Sequence, residues 1–464
     1  MNNELVVSGP QILIGLGLGI TLLIFMMLKT KMHPFLAMII SASITGLVGG
    51  MPAGDVVNSI TTGFGNTLGS IGIIIGFGVM MGEIFEVSGA AKKMAQIFVE
   101  KLGKGREELA LAITGFLVSI PIFCDSGFVI LSPLAKSISR NTKKSVISLG
   151  LSLAIGLVIT HTLVPPTPGP VGVAGIYGAN VGTTLLLGIV CAIPMTLVGL
   201  TYAKYIGQKQ YKVPGEDGES YLSSEDLGAM AHDQVAATLI DSEEEVLPSA
   251  FMSFMPIFAP IILILLKTVT TQMGLEGGYI EVINFLGAPV IAVGLGLIIA
   301  IYGLGKGQDK KEITNTMEKG IKSAGVIMLV TGAGGALGMI IRDSGAGDYI
   351  AGLIANTALP AVIIPFAISS IVRLIQGSGT VAMTTAASVT APMMATLGLS
   401  PELAVLSACM GSLVFSHFND SYFWVVNRTL GVTEVKEQLR GYSVASTIVW
   451  AVGFVELMIL NMFM

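Results

Sequence analysis

The chain has 464 residues, of which 52% are hydrophobic and only 12% charged. Its mean hydropathy of +0.80 means more apolar surface than a soluble domain of this length can bury. We therefore predict an all-α integral membrane protein. The formal net charge of −5 comes from one segment, because residues 213–248 hold ten acidic residues and no Lys or Arg.

Long uncharged runs recur along the chain. Those at 11–28, 246–266 and 282–305 are each long enough to cross roughly 30 Å of hydrocarbon as a helix. No run alternates between polar and apolar residues, which excludes the strands of a membrane β-barrel. Because Glu4 and no basic residue precedes the first run, we expect that run to stay as a membrane span and not to be a cleaved signal.

Lys and Arg residues mark the cytoplasmic side of a membrane protein. They cluster at 29–31, 92–106, 140–144, 204–212, 306–322 and 428–440. Segment 107–140 has basic residues at both ends and is interrupted by Pro121, which predicts a re-entrant hairpin that returns to the cytoplasmic side. Segment 358–396 has a glycine-rich centre and no basic residue at its ends, so we predict a second hairpin that enters from outside.

The two halves of the chain repeat each other at a shift of 256 residues. The matched positions are Gly69/Gly325, Gly76/Gly332, Gly78/Gly334, Gly82/Gly338, Gly89/Gly345 and Thr160-His161/Ser416-His417. A duplicated membrane domain is typical of secondary transporters, and about five spans plus a hairpin in each half make the second half inverted. We predict repeats at 1–206 and 249–464, about ten spans, both termini outside, and a cytoplasmic linker at 207–248.

Two predicted helices lose their helical character at equivalent depths. Residues 164–170 contain four prolines, which remove backbone donors and break the first helix. Residues 417–421 interrupt the second with His417, Asn419, Asp420 and Ser421. Two hairpin tips and two broken helices therefore converge at mid-membrane, where helix ends direct partial charges toward an anionic solute and its coupling ion.

Arg373 is the only charged residue between Asp348 and Glu402. At a rise of 1.5 Å per residue it lies roughly 20 Å along its hairpin arm. A charge at that depth costs about 2.5–3.5 kcal/mol, which a bidentate bond to a substrate carboxylate would justify. The alternative is a structural ion pair with Asp125 or Asp420.

Asp125 is the only acidic residue between Glu108 and Glu216, and it lies at the first hairpin tip. It is a candidate to carry a coupling proton or to accept a substrate hydroxyl, with Ser126 and Gly127 beside it. The alternative is that Asp125 and Ser126 cap the second hairpin arm.

His161 and His417 occupy equivalent breakpoints. Histidine titrates near neutrality, so both are candidates for proton coupling together with Asp125 and Asp420, and Asn419 adds polar reach. The alternative is an ordinary buried histidine.

At the second hairpin tip, backbone amides or hydroxyls of residues 377–380 could bind a carboxylate or cation, although glycines there also serve a tight turn. Those residues are Gly377, Ser378, Gly379 and Thr380.

At these residues the chain resembles the gluconate:proton symporter family of the ion transporter superfamily, over nearly its whole length. The motifs are His33-Pro34-Phe35, Val87-Ser88-Gly89-Ala90-Ala91, Gly127-Phe128-Val129, Pro165-Pro166-Thr167-Pro168-Gly169-Pro170, Arg373, Gly377-Ser378-Gly379-Thr380-Val381-Ala382, Ser400-Pro401-Glu402-Leu403, and Phe415-Ser416-His417-Phe418-Asn419-Asp420 with Trp424.

The resemblance implies proton-coupled uptake of a small hydroxylated monocarboxylate by an elevator-type movement, in a homodimer of the bacterial inner membrane. Two positions depart from the family pattern: Asp125-Ser126 replaces a usual Glu-Val pair, and Thr167 stands where a histidine is frequent. Both flank the expected site, so Thr167 is a candidate substrate contact and a shorter acid such as glycerate or D-serine is an alternative substrate.

Two further alternatives concern coupling and class. A sodium-coupled carrier would use the oxygens of Asp125, Ser126, Ser378 and Thr380, whereas an intramembrane hydrolase would need a metal, and no catalytic motif indicates one. Three cysteines lie in apolar stretches without ligand-like spacing. We expect no enzyme activity, no cofactor, no metal and no nucleic-acid partner.

Overall fold

The computed structural model describes residues 9–102, 105–215, 221–222, 247–305, 309–346, 349, 360–394, 396–418 and 420–464. These residues are mostly helical. The helices are α1 (Gly9–Leu28), α2 (Pro34–Val48), α3 (Ala53–Val87), α4 (Ala90–Leu102), α5 (Glu107–Val118), α6 (Cys124–Thr142), α7 (Val146–Leu163), α8 (Pro168–Tyr177), α9 (Val181–Lys209), α10 (Ala250–Gln272), α11 (Gly278–Leu286), α12 (Pro289–Leu304), α13 (Lys310–Asp343), α14 (Ile363–Gln376), α15 (Gly379–Met394), α16 (Pro401–Gly411), α17 (Ser421–Thr429), α18 (Val435–Gln438) and α19 (Val444–Leu460), and a π-helical turn, Leu439–Ser443, joins the last two.

Several helices are long and apolar enough to cross a membrane. Within the described ranges there are five such helices, or up to seven if each of two bent pairs counts as one span. The uncharged run at 246–266 falls largely in α10, one of the five. The run at 282–305 is not one straight helix as predicted, because α11 and α12 meet at a bend of 66° just before Pro289, which starts α12.

Helices α3 and α13 form the longest packed pair and run antiparallel. Near one end Ser59 donates a 2.6 Å hydrogen bond to Asp343, and toward the other Lys319 lies 2.9 Å from Glu83. Between them the backbones approach closely, because a Cβ on Gly63 would lie 2.5 Å from the Gly335 carbonyl oxygen. Small residues allow this approach of helices in a membrane.

The first predicted hairpin is a helix, a break and a second helix. Helix α5 ends at Val118, and α6 begins at Cys124 after a break that contains Pro121. Lys144, just beyond α6, lies 2.8 Å from Glu107 and 2.5 Å from Glu108 at the start of α5. The segment therefore returns to its own starting point.

The second predicted hairpin, 358–396, is described from residue 360, with residue 395 outside the described ranges. Helix α14 ends at Gly377, whose φ of 89° is left-handed, and α15 begins two residues later. Glycine adopts this backbone conformation without steric cost. The turn is much tighter than the break between α5 and α6.

Both predicted helix breaks are present, but the second begins earlier than expected. Helix α7 ends at Leu163 and α8 starts at Pro168, as the prolines require. Helix α16 already ends at Gly411, six residues before His417. There the amides of Ser412 and Leu413 donate to carbonyl oxygens three residues earlier in the chain. Gly411 also packs against the backbone of Phe366, because a Cβ on Gly411 would lie only 2.3 Å from the Phe366 carbonyl oxygen.

After α9 the chain forms a small two-stranded sheet, which lies on the same side of the protein as the C-terminal end of α6. Strand β1 (Val213–Pro214) pairs antiparallel with β2 (Tyr221–Leu222). Lys212 lies 2.9 Å from Glu437, and the Tyr221 hydroxyl donates to the Thr429 carbonyl at 3.0 Å. Most of the predicted linker, from 223 to 246, lies outside the described residues.

Candidate functional site

A buried ion pair lies between the second hairpin and the second broken helix. Arg373 is in the last turn of α14, and its Nη2 lies 2.6 Å from Asp420 Oδ2, just before α17. Arg373 is 7% exposed and Asp420 5% exposed. The structural ion pair considered for Arg373 is thus present with Asp420. Both charges are compensated, as burial requires.

Asp420 is held by three groups. Its Oδ2 also accepts a hydrogen bond from Ser416, and its Oδ1 accepts one from the Tyr422 amide at 3.0 Å, so Asp420 caps α17. A carboxylate at a helix N-terminus satisfies orphan amides and is stabilised by the helix dipole. These contacts fix the carboxylate of Asp420 in place.

Arg373 keeps an unused donor. Its Nη1 donates to the Gly377 carbonyl oxygen, and the Gly377 amide is occupied by the Arg373 carbonyl at 2.9 Å. The Nε of Arg373 is buried and has no hydrogen-bond partner in the part of the chain that the structure describes. A buried donor without an acceptor is costly, so the guanidinium retains capacity for a further ligand.

The other residues of the second tip have separate local roles. Ser378 Oγ accepts from the Val381 amide at 3.4 Å, in the first turn of α15. A Cβ on Gly379 would lie 4.0 Å from Arg373 Nη1, whereas Thr380 faces Gly169 of the first broken helix. The tip thus adjoins the ion pair at Gly377 and Gly379, and Thr380 connects it to the other half.

Asp125 approaches the ion pair from the first hairpin. It lies in the first turn of α6, half-buried, with Cys124 Sγ 3.8 Å from one carboxylate oxygen and Ser421 Oγ 3.5 Å from the other. Phe123 is the N-cap residue of α6 and its side chain makes no capping hydrogen bond, whereas Asp125 lies within the first turn. Ser421 follows Asp420, which sets Asp125 beside the ion pair.

We call Arg373, Asp420, Asp125, Ser416 and Ser421 the Arg373 cluster. It joins both hairpins to the second broken helix. Ser416 and Ser421 were not among the predicted site residues, because hydroxyls are frequent in apolar helices; their positions beside Asp420 in sequence were the available signal. Ser126 is half-buried next to Asp125, and Gly127 packs under Leu157, whose Cδ2 would be 2.8 Å from an added Cβ.

The two equivalent histidines each contact their own hairpin and not each other. His161 packs on the Phe123 ring at 5.6 Å between centroids, and its buried Nδ1 has no partner among the described residues. His417 Nε2 is bonded to the Leu374 carbonyl at 3.0 Å, next to Arg373. His417 therefore adjoins the Arg373 cluster, whereas His161 faces the tip of the first hairpin.

His161 and Thr167 line a small cavity at the first broken helix. It is about 10 Å³ in volume, is also lined by Pro121 and Pro166, and has room for about one water molecule. Thr167 Oγ1 donates to the Val164 carbonyl at 2.6 Å, so this side chain closes the break. The predicted contact Asn419 lies outside the described residues.

The fold is similar to that of a solved membrane transporter. The solved YdaH transporter of Alcanivorax borkumensis superposes with a TM-score of 0.64 at 15% sequence identity, over 93% of this chain and 99% of that chain. At this identity the likeness concerns the fold alone.

The chain belongs to the GntP family of permeases, whose family model matches residues 11–463. It is 48% identical to an uncharacterized permease of Haemophilus influenzae, over 98% of this chain and 93% of that protein. It is 34% identical to the high-affinity gluconate transporter of Escherichia coli, over 97% of this chain and 99% of that protein. The family resemblance is confirmed. The chain is an inner-membrane permease and not an enzyme.

Proposed function

We propose that this chain is a proton-coupled carrier that takes up a small hydroxylated monocarboxylate, with D-gluconate as its type substrate. The observation that carries this proposal is the Arg373 cluster, which lies where two hairpins and a broken helix meet and holds a buried guanidinium donor without a partner among the described residues. The similarity to a gluconate transporter supports the substrate class. Arg373 Nε would bind the substrate carboxylate.

The charges of the cluster support coupling to a proton. One guanidinium and two carboxylates leave a net negative charge, and an anionic substrate would add another. Uncompensated negative charges at this depth repel strongly, so one carboxylate takes up a proton when substrate binds. Asp420 is neutralised by Arg373 and caps α17. Asp125 is the carboxylate that carries the proton in this proposal, with His417 and His161 as the other candidates.

We also propose the inverted-repeat topology predicted above, with about ten spans, two hairpins and both termini outside. The antiparallel packing of α3 and α13 supports it. These helices are equivalent under the 256-residue shift, and Ser59 meets Asp343 at one end whereas Glu83 meets Lys319 at the other. Antiparallel contact between equivalent helices is what repeats of opposite orientation would produce.

In this proposal, transport is an elevator-type movement of the hairpins and broken helices along α3 and α13. Glycines at equivalent positions support it: a Cβ on Gly82 would lie 2.2 Å from the Pro121 oxygen, and one on Gly338 would lie 3.2 Å from the Ser388 oxygen. At these two positions the helix meets the hairpin backbone without a side chain of its own between them. The carrier is proposed to work as a homodimer.

The test is uptake of labelled D-gluconate into proteoliposomes with and without an inward proton gradient. A gradient equivalent to 100 mV supplies about 2.3 kcal/mol per proton, or roughly 50-fold accumulation. We expect accumulation that depends on the gradient and is lost in Arg373→Ala. Replacing sodium by choline separates the sodium-coupled alternative, and a thermal-shift screen with glycerate and D-serine separates the shorter substrates. Accumulation indifferent to both pH and Arg373→Ala would refute the proposal.

A further inference from the structure

A second buried donor without a partner lies next to the Arg373 cluster. Tyr442 belongs to the π-helical turn that precedes α19, and its side chain is 1% exposed. Its hydroxyl oxygen is buried and has no hydrogen-bond partner within the described ranges. A hydroxyl taken out of water without a partner costs free energy, and π-helical turns are frequent at functional sites.

The Tyr442 ring packs directly behind the helix that carries Asp420. It contacts the Tyr422 ring edge to face, with 5.5 Å between centroids, and Tyr422 supplies the amide that binds Asp420. Tyr422 in turn contacts Phe128 at 6.0 Å, one turn after Asp125. The phenol thus lies at the edge of the charged cluster.

The neighbouring phenol of Tyr422 is also buried but has a hydrogen-bond partner. Tyr422 is as deeply buried as Tyr442, and its hydroxyl donates to the Ala154 carbonyl at 3.2 Å. Among the described residues, the buried donors without a partner include Arg373 Nε, the Tyr442 hydroxyl and the hydroxyl of the adjacent Ser443. Buried donors without acceptors complement a ligand that is rich in oxygen atoms.

We propose that the Tyr442 hydroxyl binds a hydroxyl group of the substrate and thereby selects acids with a hydroxylated chain. This inference rests on the proposed function and adds a residue to it. Arg373 addresses the carboxylate because a guanidinium only donates. A phenol both donates and accepts, which matches an alcohol group.

The test compares Tyr442→Phe with the matched control Tyr422→Phe. Binding of D-gluconate and of its mono-deoxy analogues to the purified carrier is measured by calorimetry. We expect Tyr442→Phe to weaken D-gluconate binding about 3- to 10-fold. One deoxy analogue should bind equally to wild type and Tyr442→Phe, because it lacks the contacted hydroxyl, while the other analogues keep the difference. Tyr422→Phe should keep the wild-type order of affinities.

Thermal melting of the empty carrier distinguishes a substrate contact from a structural one. Tyr442→Phe removes a hydroxyl that has no protein acceptor, so its melting temperature should be no lower than that of wild type, whereas Tyr422→Phe should melt lower. Equal weakening of every acid, or no weakening, would overturn the inference while leaving the proposed function intact. If wild type binds no D-gluconate, the proposed substrate and this inference fall together.

Discussion

The two hairpins are built from equivalent helices, yet they bring opposite charges to the centre of the protein. The first has a five-residue break, 119–123, and presents Asp125 from the start of its second arm. The second turns at Gly377 and Ser378 and presents Arg373 from the end of its first arm. The two hairpins therefore have different roles in the proposed function: the second binds the anion and the first carries the proton.

The largest expected effect comes from breaking the ion pair of the second hairpin. Asp420→Ala leaves Arg373 buried without a counter-charge, which should cost about 3–5 kcal/mol of folding stability and abolish transport. The double variant Arg373→Met/Asp420→Leu should recover most of that stability, because both charges are gone. Thermal melting and gluconate uptake are the measurements. Uptake by the double variant would show that the pair serves structure alone.

The next effect tests the carboxylate of the first hairpin. Asp125→Asn keeps the shape of the side chain but cannot exchange a proton. We expect exchange of internal for external gluconate to continue, whereas the roughly 50-fold accumulation driven by one proton at 100 mV disappears. The control is Asp55→Asn, at an exposed site in the first turn of α3. Persistent gradient-driven accumulation in Asp125→Asn would assign the proton to another residue, with His417 the nearest candidate.

A smaller effect compares the glycines against which each hairpin packs. In Gly82→Ala the new Cβ would lie 2.2 Å from the Pro121 oxygen, which should cost about 1–3 kcal/mol. Gly338→Ala meets the Ser388 oxygen only at 3.2 Å and should cost less. Gly69→Ala is the control, since nothing lies within 4 Å. Equal losses of stability and transport rate at Gly82 and Gly338 would contradict the tighter packing of the first hairpin.

The smallest effect concerns the hydroxyl that supports Asp420. Ser416→Ala removes one hydrogen bond to a charged group whose other partners stay in place. We expect gluconate affinity to fall by about 0.5–1.5 kcal/mol, or roughly 2- to 12-fold. Ser132→Ala, which loses only a bond to the Val129 carbonyl within α6, should leave affinity unchanged. An equal loss in both variants would indicate a general packing effect.

The sequence identified the centre of the site through rare charges. A lone Arg373 in an uncharged stretch signals function because its burial is costly, and that signal needs no knowledge of packing. Its partner could not be chosen between Asp125 and Asp420, since the distance between hairpin and broken helix depends on tertiary structure. Ser416, Ser421 and Tyr442 carried no such signal, because buried hydroxyls are ordinary in membrane helices.

Helix ends also differed in whether the sequence alone could predict them. Prolines at 165–170 fix the end of α7 locally, because they cannot continue a helix. The early end of α16 at Gly411 and the bend before Pro289 depend on contacts with other helices. Gly411 leaves room for the backbone of Phe366, a residue 45 positions earlier, and apolar periodicity does not report such a contact.

The antiparallel pair of α3 and α13 also constrains how the chain is made. Ser59 and Asp343, which meet in the finished protein, are 284 residues apart. At a ribosomal rate of about 5–20 residues per second, α3 waits roughly 14–57 s in the bilayer before its partner is synthesised. During that interval the face of α3 that carries Gly63 and Glu83 lacks its contacts with α13. Assembly of this carrier is therefore paced by translation of its second half.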